Sequence, residues 1–544
     1  MKKHFLRFSV AIFAFVFLAI SVSAQDGAYA ITNAQIVTVS GATIPSGTVV
    51  LRDGLIESVG AGASVPADAK VFDGKGLTVY PGLIDADTNL GIPTTPARPQ
   101  ANQQNRQTSN SNYPAVLRPE RMVSEKLKAG DAQFASQRNN GFTTVLTRYP
   151  DGIFNGQSAV INLAGESVSS MILTPAFAQH VTYRTNRGGV FPTSLMGTFA
   201  ALRQMFYDAK RLDEIKKMYA KNPRGIKRPE ADPSLEALIP IVNGQMPIVF
   251  NANTEREIIR TLDLAKEFDL KLIISGGQEA GKLAGRLKAR NAAVLLSLNF
   301  PKRTLSEHKE ADPEPLRVLR LRAEVPKAAA RLKRAGVKFA FQSGGIKNIK
   351  DYFANAEEAT KNGLSKADAI RAMTLDAAEI LGVDSQLGSI ENGKIANLVV
   401  IKGDIFSKDR QVTHVFVDGK LFEQKKPSKK KAAAKSTGGG TAKTAQVGGT
   451  WNLTIEPPGQ SIAATLVLNQ QGSTLSGTIT SDFFGTASIK NGEATADGFS
   501  FDVTLSVGGQ ELNVSFSGTV DGNNVEGTAT SDQGPAAFTG TKTP

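Results

Sequence analysis

The histidines and carboxylates limit the chemistry open to this chain. It has no cysteine, which removes disulfides, thiolate metal ligands and thiolate nucleophiles together. Its histidines are His4, His180, His308 and His414, too far apart for a local metal motif. His308 lies in a charged stretch, Ser306-Glu307-His308-Lys309-Glu310, and His414 in a β-rich run, so a solvated and a structural role are expected of them. His180, in Ala178-Gln179-His180-Val181, is the histidine best placed to face a site. Asp85, Asp87 and Asn89 stand at period two. On a strand they share a face and can offer oxygens to a hard cation such as Ca²⁺ or Mg²⁺. One firm carboxylate with several amides is a poor trap for such an ion, so binding through hydrogen bonds is the rival reading. Arg148, Tyr149 and Asp151 follow the run Thr144-Val145-Leu146 and could reach the same place. Gly188-Gly189, after Arg187, is too weak a signal for a phosphate loop.

These residues sit in a long alternation of elements. Between residues 80 and 380, apolar strand-like runs alternate with helical stretches; Pro247-Ile248-Val249-Phe250, Lys271-Leu272-Ile273-Ile274 and Ala293-Val294-Leu295-Leu296 are examples. After Asn253, Thr254 can cap a helix whose first turn carries Glu255 and Glu257. Such alternation predicts a parallel α/β fold, and its length suits a (β/α)8 barrel; a doubly wound open sheet is the alternative. Residues 28–79 and 381–424 are β-rich instead, with turn signals at Asp53-Gly54 and Asp418-Gly419. The expectation is one β-sandwich domain assembled from both flanks. The stretch 92–112 is polar and Pro-containing, which predicts a long loop at the barrel mouth.

Past a lysine-rich segment at 425–447, read as a flexible linker, residues 448–544 change character again. Gly-Thr steps recur at 449–450, 477–478, 485–486, 518–519, 527–528 and 540–541 between short β-rich runs. This predicts a small all-β antiparallel barrel or sandwich with Trp451, the one tryptophan, in its core.

The net charge of +13 is uneven: +3 in residues 1–24, +10 in 25–424, +7 in the linker and −7 in the tail. The lysines carry no interleaved aromatics, so no nucleic-acid partner is expected. Residues 1–24 read as a secretory signal peptide, with Lys2, Lys3 and Arg7 before an apolar run and small residues before Gln25. The chain is therefore expected to be exported, periplasmic or extracellular, and not membrane-spanning once the signal is removed.

At Tyr80-Pro81-Gly82-Leu83-Ile84-Asp85-Ala86-Asp87-Thr88-Asn89 the sequence resembles the amidohydrolase superfamily, in particular its imidazolonepropionase-like branch. Asn140-Gly141-Phe142-Thr143-Thr144-Val145 and Leu387-Gly388-Ser389-Ile390-Glu391-Asn392-Gly393-Lys394-Ile395-Ala396-Asn397-Leu398 extend the resemblance over most of 28–424. It implies metal-dependent hydrolysis of non-peptide C–N bonds, with one or two divalent metals such as Zn held at the barrel mouth. The positions matching the family's ligands are Asp87 and Asn89, Asn251 and Asn253, Gly276, and Gly344 in place of an aspartate. None is a histidine. With that set, no metal cofactor is expected, the catalytic residues are unknown, and the chain reads as a pseudoenzyme that binds or scaffolds. Ser275, Gln278, Gln342, Ser343 and His180 are the candidate binding residues for a small polar ligand or peptide. Two alternatives stay open: an active amidohydrolase with a non-standard site, and an interaction protein working through the acidic tail.

Overall fold

The computed structural model describes residues 27–93, 113–130, 132–165, 167–186, 191–303, 314–346, 348–423, 445–456, 462–495, 497–507, 510–531 and 534–543. Residues 1–24, read above as a signal peptide and containing His4, most of the 92–112 stretch, Gly188-Gly189, His308 and nearly all of the lysine-rich segment lie outside the described residues. The chain divides into two compact units, 1–426 and 427–544.

In the first unit, strands from both flanks pair in one eight-stranded sheet. Strands β1 (Tyr29–Ile36), β2 (Ile44–Arg52), β3 (Leu55–Gly60), β4 (Lys70–Asp73) and β5 (Leu77–Pro81) come from the amino-terminal side. Three later strands, numbered below, complete it. The Asp53-Gly54 turn has positive φ at both residues, 51° and 79°, which matches the twist of a tight hairpin.

The barrel begins with β6 (Leu83–Thr88) and β7 (Phe142–Thr147), which run parallel. Next come β8 (Phe154–Gln157), β9 (Ala159–Asn162), β10 (Ile172–Thr174) and β11 (Gln179–Thr182). Strands β12 (Ile248–Ala252), β13 (Leu272–Gly276), β14 (Ala293–Ser297) and β15 (Phe339–Gln342) continue from β11 in parallel register. The eight places of the ring are β6, β7, the β9–β8 pair, β11, β12, β13, β14 and β15. The β9–β8 pair runs against its neighbours, with Ser158 joining its halves through bonds to Phe177 and Ala178. The barrel is therefore parallel with one reversed member.

Alternate residues sort to the two sides of the wall. Ile248, Phe250 and Ala252 pack outward among the helices, in the cluster that holds Ile258, Leu262 and Ala265 of the helix Glu255–Phe268. Val249, Ile273, Leu295 and Ala340 gather with Ile84, Ala86 and Leu146 as the interior floor. The predicted cap at Thr254 is a full capping box with Glu257. After β15, helices lead to β16 (Leu398–Lys402), β17 (Gln411–Val417) and β18 (Lys420–Glu423), which join the flank sheet in the order β18-β17-β16-β5-β1-β2-β3, with β4 on β1.

The second unit is a meander of β19 (Gly449–Glu456), β20 (Ile462–Gln471), β21 (Thr474–Ser481), β22 (Gly485–Ser488), β23 (Lys490–Ala494), β24 (Gly498–Val507), β25 (Gln510–Asp521), β26 (Asn524–Ser531) and β27 (Gly534–Lys542). Every pairing is antiparallel, and β20 pairs β21 as well as β19, which closes the barrel. Its core holds Trp451 with Phe499, Phe501, Phe516 and Phe538. Residues before Gly449 belong to it too: Val447 is fully buried, and Ala445 donates its N–H to Thr495. Among the described residues of the whole chain, no helix is long and apolar enough to cross a membrane.

Candidate functional site

The two aspartates of β6 go to different partners. A register irregularity between Asp85 and Thr88 breaks the expected common face. The shared cation face of Asp85, Asp87 and Asn89 is thereby corrected: a bulged strand no longer sends every second side chain to one side.

Asp85 faces the seam between β6 and β15, which come together without a strand ladder. Its Oδ1 accepts the N–H of Ser343 at 2.9 Å and, more loosely, that of Asp87 at 3.4 Å. Oδ2 is buried with no partner among the described residues, and so is the nearby Tyr352 hydroxyl. Burial pushes the Asp85 carboxyl up to about 7, against the lowering effect of its bonds to Ser343. Burial and the neighbouring Asp85 raise the Tyr352 hydroxyl well above its ordinary range. Asp85 acts as a latch across the barrel seam.

Asp87 faces the mouth, with 1% of its side chain exposed. Its Oδ1 accepts from Arg148 Nε at 2.6 Å, and its Oδ2 accepts from the hydroxyl of Ser275. Arg148 directly follows β7 and donates its own N–H to Thr88 on the neighbouring strand, so its side chain starts beside Asp87. Ser275 follows the inward-facing Ile273 by two residues, which aims its hydroxyl inward. His180 is 2% exposed and close enough to feel both charges. Burial drives its imidazole down to about 3, only partly offset by Asp87, so the ring is neutral. Its Nε2 has no hydrogen-bond partner among the described residues. The pairing of Arg148 with Asp87 was the part not read from sequence. The available signal was that each residue ends one of two adjacent parallel strands.

The remaining candidates are more scattered. Asn253 donates its side-chain N–H to Asn251 Oδ1 at 3.3 Å, which engages the Asn251 oxygen. Asn89 lies past the end of β6 and lines a cleft of about 480 Å³ with Arg121, Tyr149 and Asp151. Gln278 turns to the Asn299 carbonyl at 2.9 Å, and Gln342 accepts the N–H of Gly344 at 2.5 Å. Gly276 has φ +93°, and a Cβ there would come 2.4 Å from Asn253 Oδ1. A larger hollow of about 800 Å³ lies at the opposite end, near Pro247, Lys271, Ala293 and Lys338. That end of such barrels serves stability rather than chemistry.

A divalent ion needs several lone pairs converging on one point. Here both oxygens of Asp87 are engaged, Asn251 accepts from Asn253, and Gly276 and Gly344 bring no side chain. Among the described residues, no three His, Cys, Asp or Glu side chains gather to hold a metal. The donor set does not fit the divalent metal that the resemblance implies, and the positive charge beside Asp87 is Arg148. The ensemble is suited to hydrogen bonding: a fixed ion pair, a hydroxyl and a neutral imidazole.

Residues 246–422 match the family model of the amidohydrolase family. No curated protein matches the chain. Among solved structures, an amidohydrolase from Thermotoga maritima MSB8 is similar over 73% of this chain and 100% of that one, with 24% identity and a TM-score of 0.61. A prolidase complexed with N-methylphosphonate-L-proline and a Xaa-Pro dipeptidase with bound methionine are 18% and 16% identical. Each covers 73% of this chain and 100% of its own length, with a TM-score of 0.43. The family match thus spans residues 246–422, and the likeness to the Thermotoga maritima structure shows that this chain shares the fold of that amidohydrolase.

Proposed function

We propose that this chain is an exported amidohydrolase relative whose barrel mouth binds a small polar ligand or peptide without metal-assisted turnover. The observation that carries this reading is the state of Asp87, whose two oxygens are held by Arg148 and Ser275. A guanidinium neutralises the carboxylate that a metal would otherwise need, and it cannot activate a water as a bound divalent ion does. The amides at 251 and 253 and the glycines at 276 and 344 support the same reading. Elemental analysis of the mature protein, purified without chelators or a histidine tag, tests it. The expected content is under about a tenth of an equivalent of Zn, Mn, Fe or Ni. One or two tightly held equivalents would sink the proposal.

A second reading, an active hydrolase with a non-standard site, is favoured by His180. Its buried, neutral imidazole beside Asp87 has an open acceptor and could take a proton from an attacking water. Hydrolysis of any member of an amide and cyclic-amide panel, lost in His180→Phe, would replace the binding proposal with this one. Export is tested by cell fractionation and by amino-terminal sequencing, with Gln25 expected as the first residue. A protein recovered uncleaved from the cytoplasm would refute it.

A further inference from the structure

The six Gly-Thr steps of the tail share one geometry. At each, the glycine falls in the register of the buried residues and the threonine in that of the exposed ones; Gly540 pairs Leu453, for example, while Thr541 pairs Asn452. At Gly527 and Gly540, both within the wall beneath this face, there is no room for a side chain. A Cβ on Gly527 would meet the Phe538 ring at 2.6 Å, and one on Gly540 would meet Leu453 at 2.5 Å. The wall is therefore drawn in against the aromatic core, and its outer face is hollow: a trough of about 930 Å³ crosses it.

The side chains in this trough form rows fixed by strand register. One row runs Thr480, Thr465, Asn452, Thr541, Asn524, Asp521, each opposite the next on the neighbouring strand. A second runs Thr454, Thr539, Glu526, Thr519. Five strand spacings of about 4.8 Å give the first row a length of roughly 24 Å. No lysine, arginine or aromatic residue lines it, and its charged members, Asp482, Asp521 and Glu526, are acidic. Phe483, next to Asp482, is 47% exposed and offers one apolar platform.

We propose that this trough is a binding site for a linear neutral polysaccharide. Acidic polymers are disfavoured by the carboxylates and the lack of a lining cation. A peptide strand finds no open edge on a closed barrel, and a helix finds no apolar socket. Hydroxyls and amides both donate and accept, as sugar hydroxyls do, and rows repeating at the strand spacing suit a chain of pyranose units.

The test is affinity electrophoresis of the full chain in gels containing hydroxyethylcellulose, glycol chitin or laminarin. Retardation is expected with at least one of them. It should weaken roughly tenfold in the Thr465→Val, Thr541→Val double variant, which loses two hydroxyls and keeps β-branched side chains. Thr530→Val, on β26 outside the trough, should leave it unchanged, and circular dichroism melts should show all variants folded. Thr539→Arg adds a bulky cation in the second row and should abolish retardation. No retardation with any of the three polymers, or equal retardation of wild type and double variant, overturns the proposal.

Discussion

Arg148 Nε lies 2.6 Å from Asp87 Oδ1 at the ends of two adjacent parallel strands, and the pair is nearly sealed from water, with 17% and 1% of the side chains exposed. The backbone N–H of Arg148 is bonded to the Thr88 carbonyl at 3.0 Å, so the same strand pairing fixes both ends of the ion pair. Little side-chain freedom remains to be lost when the bond forms, and Ser275 completes the shell of the carboxylate.

Breaking this pair should be costly. Arg148→Met leaves a buried carboxylate uncompensated, and a loss of about 3–5 kcal/mol is expected. Urea denaturation followed by circular dichroism measures it. Added Mg²⁺ or Mn²⁺ should raise the melting temperature of the variant more than that of wild type, because the vacated side of Asp87 would then welcome a cation. Equal shifts in both proteins would show that Arg148 does not stand in for one.

Asp85 and His180 make opposite contributions to the pH dependence of stability. The Asp85 pKa is raised from 3.8 to about 7, so its contribution is full below about 3.8 and is lost as pH rises to 7. The His180 pKa is lowered from 6.5 to about 3, so its contribution is full above 6.5 and is lost as pH falls towards 3. Each slope approaches about 1.4 kcal/mol per pH unit, and the two nearly cancel between about pH 4 and 6.5. Asp85→Asn should unmask stability that rises with pH in that window, and His180→Phe stability that falls. Parallel pH profiles for both variants would contradict the assignment.

Gly276→His, the simplest step towards the family's ligand set, should fail by itself. Its φ of +93° is unfavourable for a side chain, and Asn253 Oδ1 lies only 2.4 Å from where the Cβ would sit. The expected loss is about 1–3 kcal/mol. Adding Asn253→Ala should recover part of it, as read by thermal melting. No recovery would mean that backbone strain alone accounts for the loss.

Much of this architecture was legible because it rests on local signals. Thr254 with Glu257 announced a helix start, Asp53-Gly54 a hairpin, and the apolar runs at 248–250 and 272–274 the parallel strands. The site was less so. Asp87 meets Ser275 across 188 positions of sequence, and no periodicity in either segment encodes that contact. The bulge in β6 likewise left no local mark, so the even spacing of Asp85, Asp87 and Asn89 suggested a common face that the strand does not keep. The seam role of Asp85 depends on where β15 ends, which is a property of the closed barrel.

Ending the chain after Glu423 should leave the first unit folded, since the two units separate near residue 426. The truncated protein is expected to melt within a few degrees of the corresponding transition in the full chain, as monitored by circular dichroism. A collapse of that transition would show that the tail supports the barrel.

Trp451 is the only tryptophan of the chain; it is fully buried in the tail barrel, and its ring N–H donates to the Val447 carbonyl at 2.9 Å. Tryptophan emission is thus a private signal of the smaller unit. A denaturation curve recorded in that channel follows the transition of the tail barrel. Overlaying such a curve on one recorded in the peptide absorption region would therefore tell, without any mutation or label, whether the two units lose their structure together or in turn.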